Sequence, residues 1–157
     1  MNVMRLNALM ILRSRCSLLF AAALLVGCAA APMKESISSK DAPAPIGPYS
    51  PGVKVGGWLF LAGQTAIDPK TNQLATGSIE EQTKQTLENL NAVLQAAGMT
   101  MENVVSTTVY LKDINDFSKM NAVYATFFKD KPPARATVQV AKLPRDALVE
   151  ISAIALK

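Results

Sequence analysis

From Val104 to Leu111 the chain is almost continuously β-branched or apolar. From Leu148 to Ala155 apolar residues fill every second position and most of those between. Stretches of this length and make-up predict strands. The second one sets Val149, Ile151, Ala153 and Ala155 on one face and Leu148, Glu150, Ser152, Ile154 and Leu156 on the other. Both of its faces are therefore substantially apolar. Upstream the period lengthens to that of a helix, with Thr83, Leu87, Leu90, Val93, Leu94 and Ala97 on one stripe. Ser78-Ile79-Glu80-Glu81 predicts a capping box at its start, and Gly98 closes it. A second helix is marked by Met120, Val123, Tyr124, Phe127 and Phe128, until Pro132-Pro133 ends it.

Shorter alternating runs complete the frame. Val53–Val55 and Trp58–Ala62 predict a hairpin around Gly56-Gly57, Ile37 begins a short strand, and Ala136–Val140 forms another. Asp68–Asn72 and Asp113–Asp116 read as turns, and Leu143–Asp146 links the last two strands. The predicted order is β-β-β-α-β-α-β-β in a single α+β domain, with two helices covering one face of a mixed sheet. The apolar residues on the other face predict self-association, because a bare sheet face of that kind is a large hydrophobic patch. Ala42–Pro51 holds four prolines and one glycine and must be a loop; Ile46 and Tyr49 within it predict that it packs on the domain.

Charge changes the picture only once the N-terminus is set apart. The net charge of +4 comes from 16 basic and 12 acidic residues, and residues 1–27 hold three of the arginines and no acid. The remainder therefore has 13 basic and 12 acidic side chains. That balance lacks the basic density a phosphate backbone requires, so no nucleic-acid partner is expected. Residues 1–27 read as a signal peptide, with a basic start through Arg15 and an apolar run from Leu18 to Val26 that is too short to span a bilayer. Leu25-Val26-Gly27-Cys28 resembles the bacterial lipoprotein lipobox, which implies lipid on Cys28, a membrane anchor and export to the periplasmic face of an outer membrane. An ordinary secretory signal with an incidental Cys28 is the plainer alternative. The expected boundaries are 1–27 for the signal, 28–36 for the lipidated cysteine and its tether, and 37–157 for the domain.

The sequence has no histidine and two cysteines, which excludes histidine triads, histidine-ligated metal and a four-cysteine zinc site. Three polar side chains stand out in apolar surroundings. Arg135 opens a strand behind two prolines, Glu150 sits inside Leu-Val-Glu-Ile-Ser-Ala-Ile-Ala, and Tyr49 lies in the proline-rich loop. A charge in an apolar strand must be paired or must face a cleft or an interface. An Arg135–Glu150 structural ion pair, or Glu150 at a solvated edge, satisfies that rule. So does a site for a small carboxylic acid, in which the forked guanidinium grips the carboxylate. In such a site burial would push the Glu150 carboxyl up and Arg135 would push it down.

The tract Pro133-Ala134-Arg135-Ala136-Thr137-Val138-Gln139-Val140-Ala141-Lys142-Leu143, followed by Val149-Glu150-Ile151, resembles the signature of the Rid family of enamine and imine deaminases, also called YjgF. Ala44-Pro45-Ile46-Gly47-Pro48-Tyr49-Ser50, Ala62-Gly63-Gln64, Leu87-Glu88-Asn89-Leu90 and Asn121-Ala122-Val123-Tyr124 are similar to further family segments, so the resemblance runs from about Ile37 to Ala155. It implies a bacillar-type, chorismate-mutase-like α+β fold, a homotrimer with clefts between subunits, and hydrolysis of 2-imino acids to 2-oxo acids and ammonia without cofactor or metal. Carried over residue by residue, Arg135 would bind the substrate carboxylate, and Glu150 would activate water and relay a proton. Tyr49 and Asn121 would shape the cleft from a neighbouring subunit, and Gly63 and Thr137 would lie against the substrate's small end. Ala62 stands where the family commonly has serine and Thr137 where it commonly has cysteine. These departures touch substrate preference and rate. A non-catalytic small-carboxylate-binding or chaperone-like trimer, or hydrolysis of another small imine or amide, are the competing readings.

Overall fold

The computed structural model describes residues 33–157. Lys34–Ile37 (β1), Gly52–Val55 (β2), Trp58–Gln64 (β3), Val104–Leu111 (β4), Ala134–Gln139 (β5) and Val149–Leu156 (β6) form one sheet in the order β1-β2-β3-β6-β4-β5. Ile79–Ala96 is the first helix, α1, and Phe117–Phe127 the second, α2. The pairings are antiparallel except β4 with β5, which run parallel because α2 carries the chain back across the sheet between them. The element order and the mixed α+β sheet are those expected.

Local chemistry explains the ends of the elements. The Ser78 N–H donates to Glu81 Oε2 at 2.8 Å and the Glu81 N–H to Ser78 Oγ at 3.3 Å, completing the capping box of α1. Gly98, at φ +71°, takes the left-handed turn that stops the helix. Leu87, Leu90, Val93 and Leu94 are fully buried against the sheet, as are Val149, Ile151 and Ala155 of β6. The stripe read from the period of α1 and the inner face read from the alternation of β6 thus meet in one core. Both helices lie on that side. A buried Asn89 on α1 donates to the carbonyls of Thr65 at 3.0 Å and Ile67 at 2.7 Å, tying down the chain just after β3.

Among the described residues nothing covers the opposite face. Phe60 pairs with Ile154 and Val53, and Trp58 with Leu156 and Val55, building an apolar surface on which Trp58 and Phe60 are 45% and 46% exposed. The self-association predicted from β6 thus has a specific face to use.

Three expectations change. The first strand ends at Ile37 rather than beginning there, so the sheet takes in residues 34–36 that were assigned to the tether. Lys34, Glu35 and Ser36 pair with Val55, Lys54 and Val53, and a polar edge strand of this kind needs no apolar period. Ile46 and Tyr49 do not pack into the domain: they are 50% and 46% exposed, while Ala42, Pro43 and Pro51 anchor the loop. Strand β5 starts at Ala134, two residues early, so Arg135 lies within it. The signal peptide and Cys28 lie outside the described residues.

Candidate active site

The register of the sheet decides where each functional side chain points. Arg135 in β5 stands opposite Thr107 in β4, and Thr107 is buried on the helix-covered side with its Oγ1 2.7 Å from the Tyr124 hydroxyl. The guanidinium therefore lies between β5 and α2. Its Nη2 donates to Asn121 Oδ1 at 2.8 Å, and its Cζ sits 4.5 Å from the centre of the Tyr124 ring and 5.6 Å from that of Phe117. Stacking on two rings holds the fork flat and leaves other N–H groups for a ligand. Pro132 and Pro133 fix the chain as it enters the strand. With Asn121, Tyr124, Ala125 and Phe128 they line a cavity of about 350 Å³ beside Arg135.

Glu150 in β6 stands opposite Tyr110 of β4, one residue out of step with the inward-facing Val149 and Ile151, so it projects from the uncovered face. Across from it, β3 is irregular between Leu61 and Gln64. This bulge brings the Gly63 backbone under the carboxylate. A Cβ on Gly63 would come within 2.7 Å of the Glu150 carboxyl carbon, so only glycine lets the acid lie there. Partial burial pushes the Glu150 carboxyl above its ordinary value. Among the described residues no hydrogen bond reaches it. The cavity beside it, about 260 Å³, is lined by Tyr49, Ile46, Ala62, Gly63, Thr65 and Pro144 among others. The Tyr49 hydroxyl oxygen accepts from the Ile46 N–H at 3.2 Å, which turns the loop over the cavity mouth.

One chain therefore carries two candidate half-sites on opposite faces of one sheet, against the expectation that Arg135 and Glu150 meet in one pocket. Arg135 and Glu150 form no ion pair within the chain and share no cavity there. Nor does Arg135 lower the Glu150 carboxyl; burial is the only cause of its shift. Tyr49 and Asn121, expected to approach together, belong to different halves: Tyr49 with Gly63 and Glu150, Asn121 with Arg135. Alternation along single strands could not show this, since relative facing depends on how β4, β5 and β6 align. Thr137 stands opposite Val109 on the Arg135 side of β5, and its buried Oγ1 lacks a hydrogen-bond partner among the described residues. It lines neither cavity.

Tyr124 is buried in the core as its helical spacing predicts, but sequence reasoning missed that it also stacks on Arg135, and it passed over Phe117. The signal was present: Phe117, Asn121, Tyr124 and Phe128 recur at helical spacing, with one amide among three rings.

The family model described as Endoribonuclease L-PSP matches residues 39–157. A RutC family protein of Pyrococcus horikoshii is 55% identical over 125 residues, 80% of this chain and 99% of the relative. A 2-iminobutanoate/2-iminopropanoate deaminase of Mus musculus is 48% identical over 125 residues, 80% of this chain and 93% of the relative. The crystal structure of E. coli TdcF with bound serine superposes with a TM-score of 0.76 at 38% identity, covering 78% of this chain and 98% of that one. The matched span holds β2 through β6, both helices and both half-sites, and the chain belongs to the Rid/YjgF family, also known as RutC or L-PSP.

Proposed function

We propose that this chain is a cofactor-independent deaminase that hydrolyses 2-imino acids and their 2-enamino tautomers to 2-oxo acids and ammonia, in clefts between the subunits of a homotrimer. The observation that carries the reading is the division of the site into halves. Arg135 offers a forked cation on one face and Glu150 a raised, unpartnered carboxyl on the other, so only a second copy completes a cleft. The name of the mouse relative and the serine in the TdcF structure agree in kind: an imino acid and an amino acid both present a carboxylate next to a nitrogen-bearing carbon. The nuclease activity in the family description has no part in the proposal, given the balanced charge of residues 28–157.

The chemistry asks little of the protein. Arg135, oriented by Asn121, holds the substrate carboxylate with two hydrogen bonds. The ionised Glu150 takes a proton from water as its oxygen bonds to the imine carbon, and the C=N pair moves to nitrogen. Protonated in turn, Glu150 returns the proton to that nitrogen, giving a carbinolamine; it then takes the hydroxyl proton and passes it to the amino group, so that the C–N bond breaks, the carbonyl forms and ammonia leaves. One water is consumed. Gly63 bounds the small end and Tyr49 covers the mouth. Imines hydrolyse unaided, so placement and one tuned carboxyl, worth about 10²–10⁴-fold, are sufficient.

The same reading puts the trimer on a membrane through lipid on Cys28. Because β1 begins at Lys34, the intervening residues would hold the sheet within about 20 Å of the anchor. Blocking lipid transfer by Cys28→Ser should move the protein from the membrane to the soluble fraction.

A specific observation favours one competitor: the Arg135 half has its own cavity and needs no Glu150 to bind a carboxylate. A single experiment separates the two. An amino-acid oxidase generates 2-iminopropanoate, and its decay is followed with wild type, Arg135→Ala and Glu150→Gln. Both variants should lose the acceleration, and reassembling them together should restore about a quarter of the sites, since a cleft takes Arg135 from one copy and Glu150 from the next. Wild type that adds nothing over buffer while still binding 2-oxobutanoate would leave the binding module. Recovery absent from a proven mixed trimer would overturn the shared cleft.

A further inference from the structure

We propose that Tyr124, locked by Thr107, is a positioning residue that sets the plane and reach of Arg135 and so governs carboxylate affinity; this rests on the reading of Arg135 as the carboxylate-binding group. The Tyr124 ring lies face-on to the guanidinium, 4.5 Å from Cζ, and is only 4% exposed. The ring borders the Arg135 cavity, but with so little of it exposed its main contact is the cation above it. Two contacts fix it. Its hydroxyl meets Thr107 Oγ1 at 2.7 Å, and Thr107 belongs to the strand that pairs with Arg135 itself. The ring packs on Phe128 with centres 4.6 Å apart and planes tilted by 33°. Its helix also supplies Asn121, three residues earlier, whose Oδ1 takes the Nη2 proton at 2.8 Å. Two registers thus converge on one guanidinium: that of β4 through Thr107, and that of α2 through Tyr124 and Asn121.

The hydroxyl is more than a packing accident. Burial pushes the Tyr124 phenol up, so it stays neutral and pairs with Thr107 as a hydroxyl. A phenylalanine in its place would leave the buried Thr107 Oγ1 without a partner and free the ring to slide. The platform therefore trades an arginine's rotamer freedom for a fixed fork, which is the condition for a bidentate grip.

Calorimetric titration of the purified protein with 2-oxobutanoate tests this directly. Tyr124→Phe should weaken binding about fivefold and Tyr124→Leu about thirtyfold, since the second also removes the π face. Thr107→Val should match Tyr124→Phe, and Thr107→Ser, which keeps the hydrogen bond, should restore wild-type affinity. In imine turnover the same factors should fall on KM, with kcat little changed, as expected for binding shared by ground and transition states. In an Arg135→Lys background, where a point charge replaces the stacked fork, the Tyr124 and Thr107 substitutions should lose most of their effect. If they lower the melting temperature but leave affinity alone, or weaken binding equally in the lysine background, Tyr124 is core and the proposal fails. Absence of turnover in wild type would sink the deaminase reading while the titration series still decides Tyr124. Absence of 2-oxobutanoate binding by wild type would overturn the positioning role as well.

Discussion

At the scale of single residues, Gly63 and Glu150 act as one unit. The carboxylate occupies the space a side chain at position 63 would fill, and what it would meet is the end of a flexible glutamate rather than backbone. Gly63→Ala should therefore displace the acid without disturbing the sheet: turnover should drop about tenfold to a hundredfold, with a melting temperature close to wild type. In the proposed reaction Glu150 also sets the pH dependence. Its carboxyl is raised by burial, and it must be ionised to take a proton from water. As pH falls through that raised value the base is lost, so the rate should decline at a pH above the ordinary glutamate value of 4.5. A pH–rate profile should show this acidic limb in wild type. The residual rate of Glu150→Gln should be flat there.

At the scale of elements, α1 and the loop after β3 hold the Glu150 half, whereas α2 and β5 hold the Arg135 half. α1 begins at the Ser78–Glu81 box and anchors residues 65–67 through Asn89, behind the Glu150 cavity. Removing the cap by Ser78→Ala should cost about 1 kcal/mol, read from urea unfolding, and leave folded-state activity unchanged, because Asn89 lies several turns on. The helix-period stripe and the strand alternation were legible because burial imposes a period on sequence. Strand β1 was not: as a polar edge it needs only a partner, and its pairing with β2 is a matter of backbone hydrogen bonds that any residue except proline provides. The loop residues Ile46 and Tyr49 misled for the opposite reason. Apolar side chains suggest a core, yet these two stand half-exposed at the rim of a cavity.

At the scale of the whole molecule, the apolar face that no described residue covers is the surface on which copies would meet. Phe60 and the sole tryptophan, Trp58, stand nearly half exposed beside Ile154, Leu156, Val53 and Val55. Phe60→Asp should leave the buried face intact and break assembly: sedimentation should shift from the trimer to the single chain, and Trp58 emission should move to the red. Deamination should fall with it, since separated copies leave Arg135 and Glu150 without each other. Wild-type mass and activity in that variant would show that the face is not the interface.

The amino-acid sequence alone determined the element order, the capping of α1, the buried faces of α1 and β6, and the two charged side chains of the candidate site, because each is written as a local period or as a charge that apolar neighbours make costly. Tertiary structure alone decided which way those charges point. A strand's alternation gives two faces without saying which one its neighbour shares; the ladder from β5 through β4 to β6 supplies that, putting Arg135 under α2 and Glu150 on the bare side. The bulge in β3 that opens a place for the acid over Gly63 likewise arises only when β3 and β6 are paired, since a register is a relation between strands.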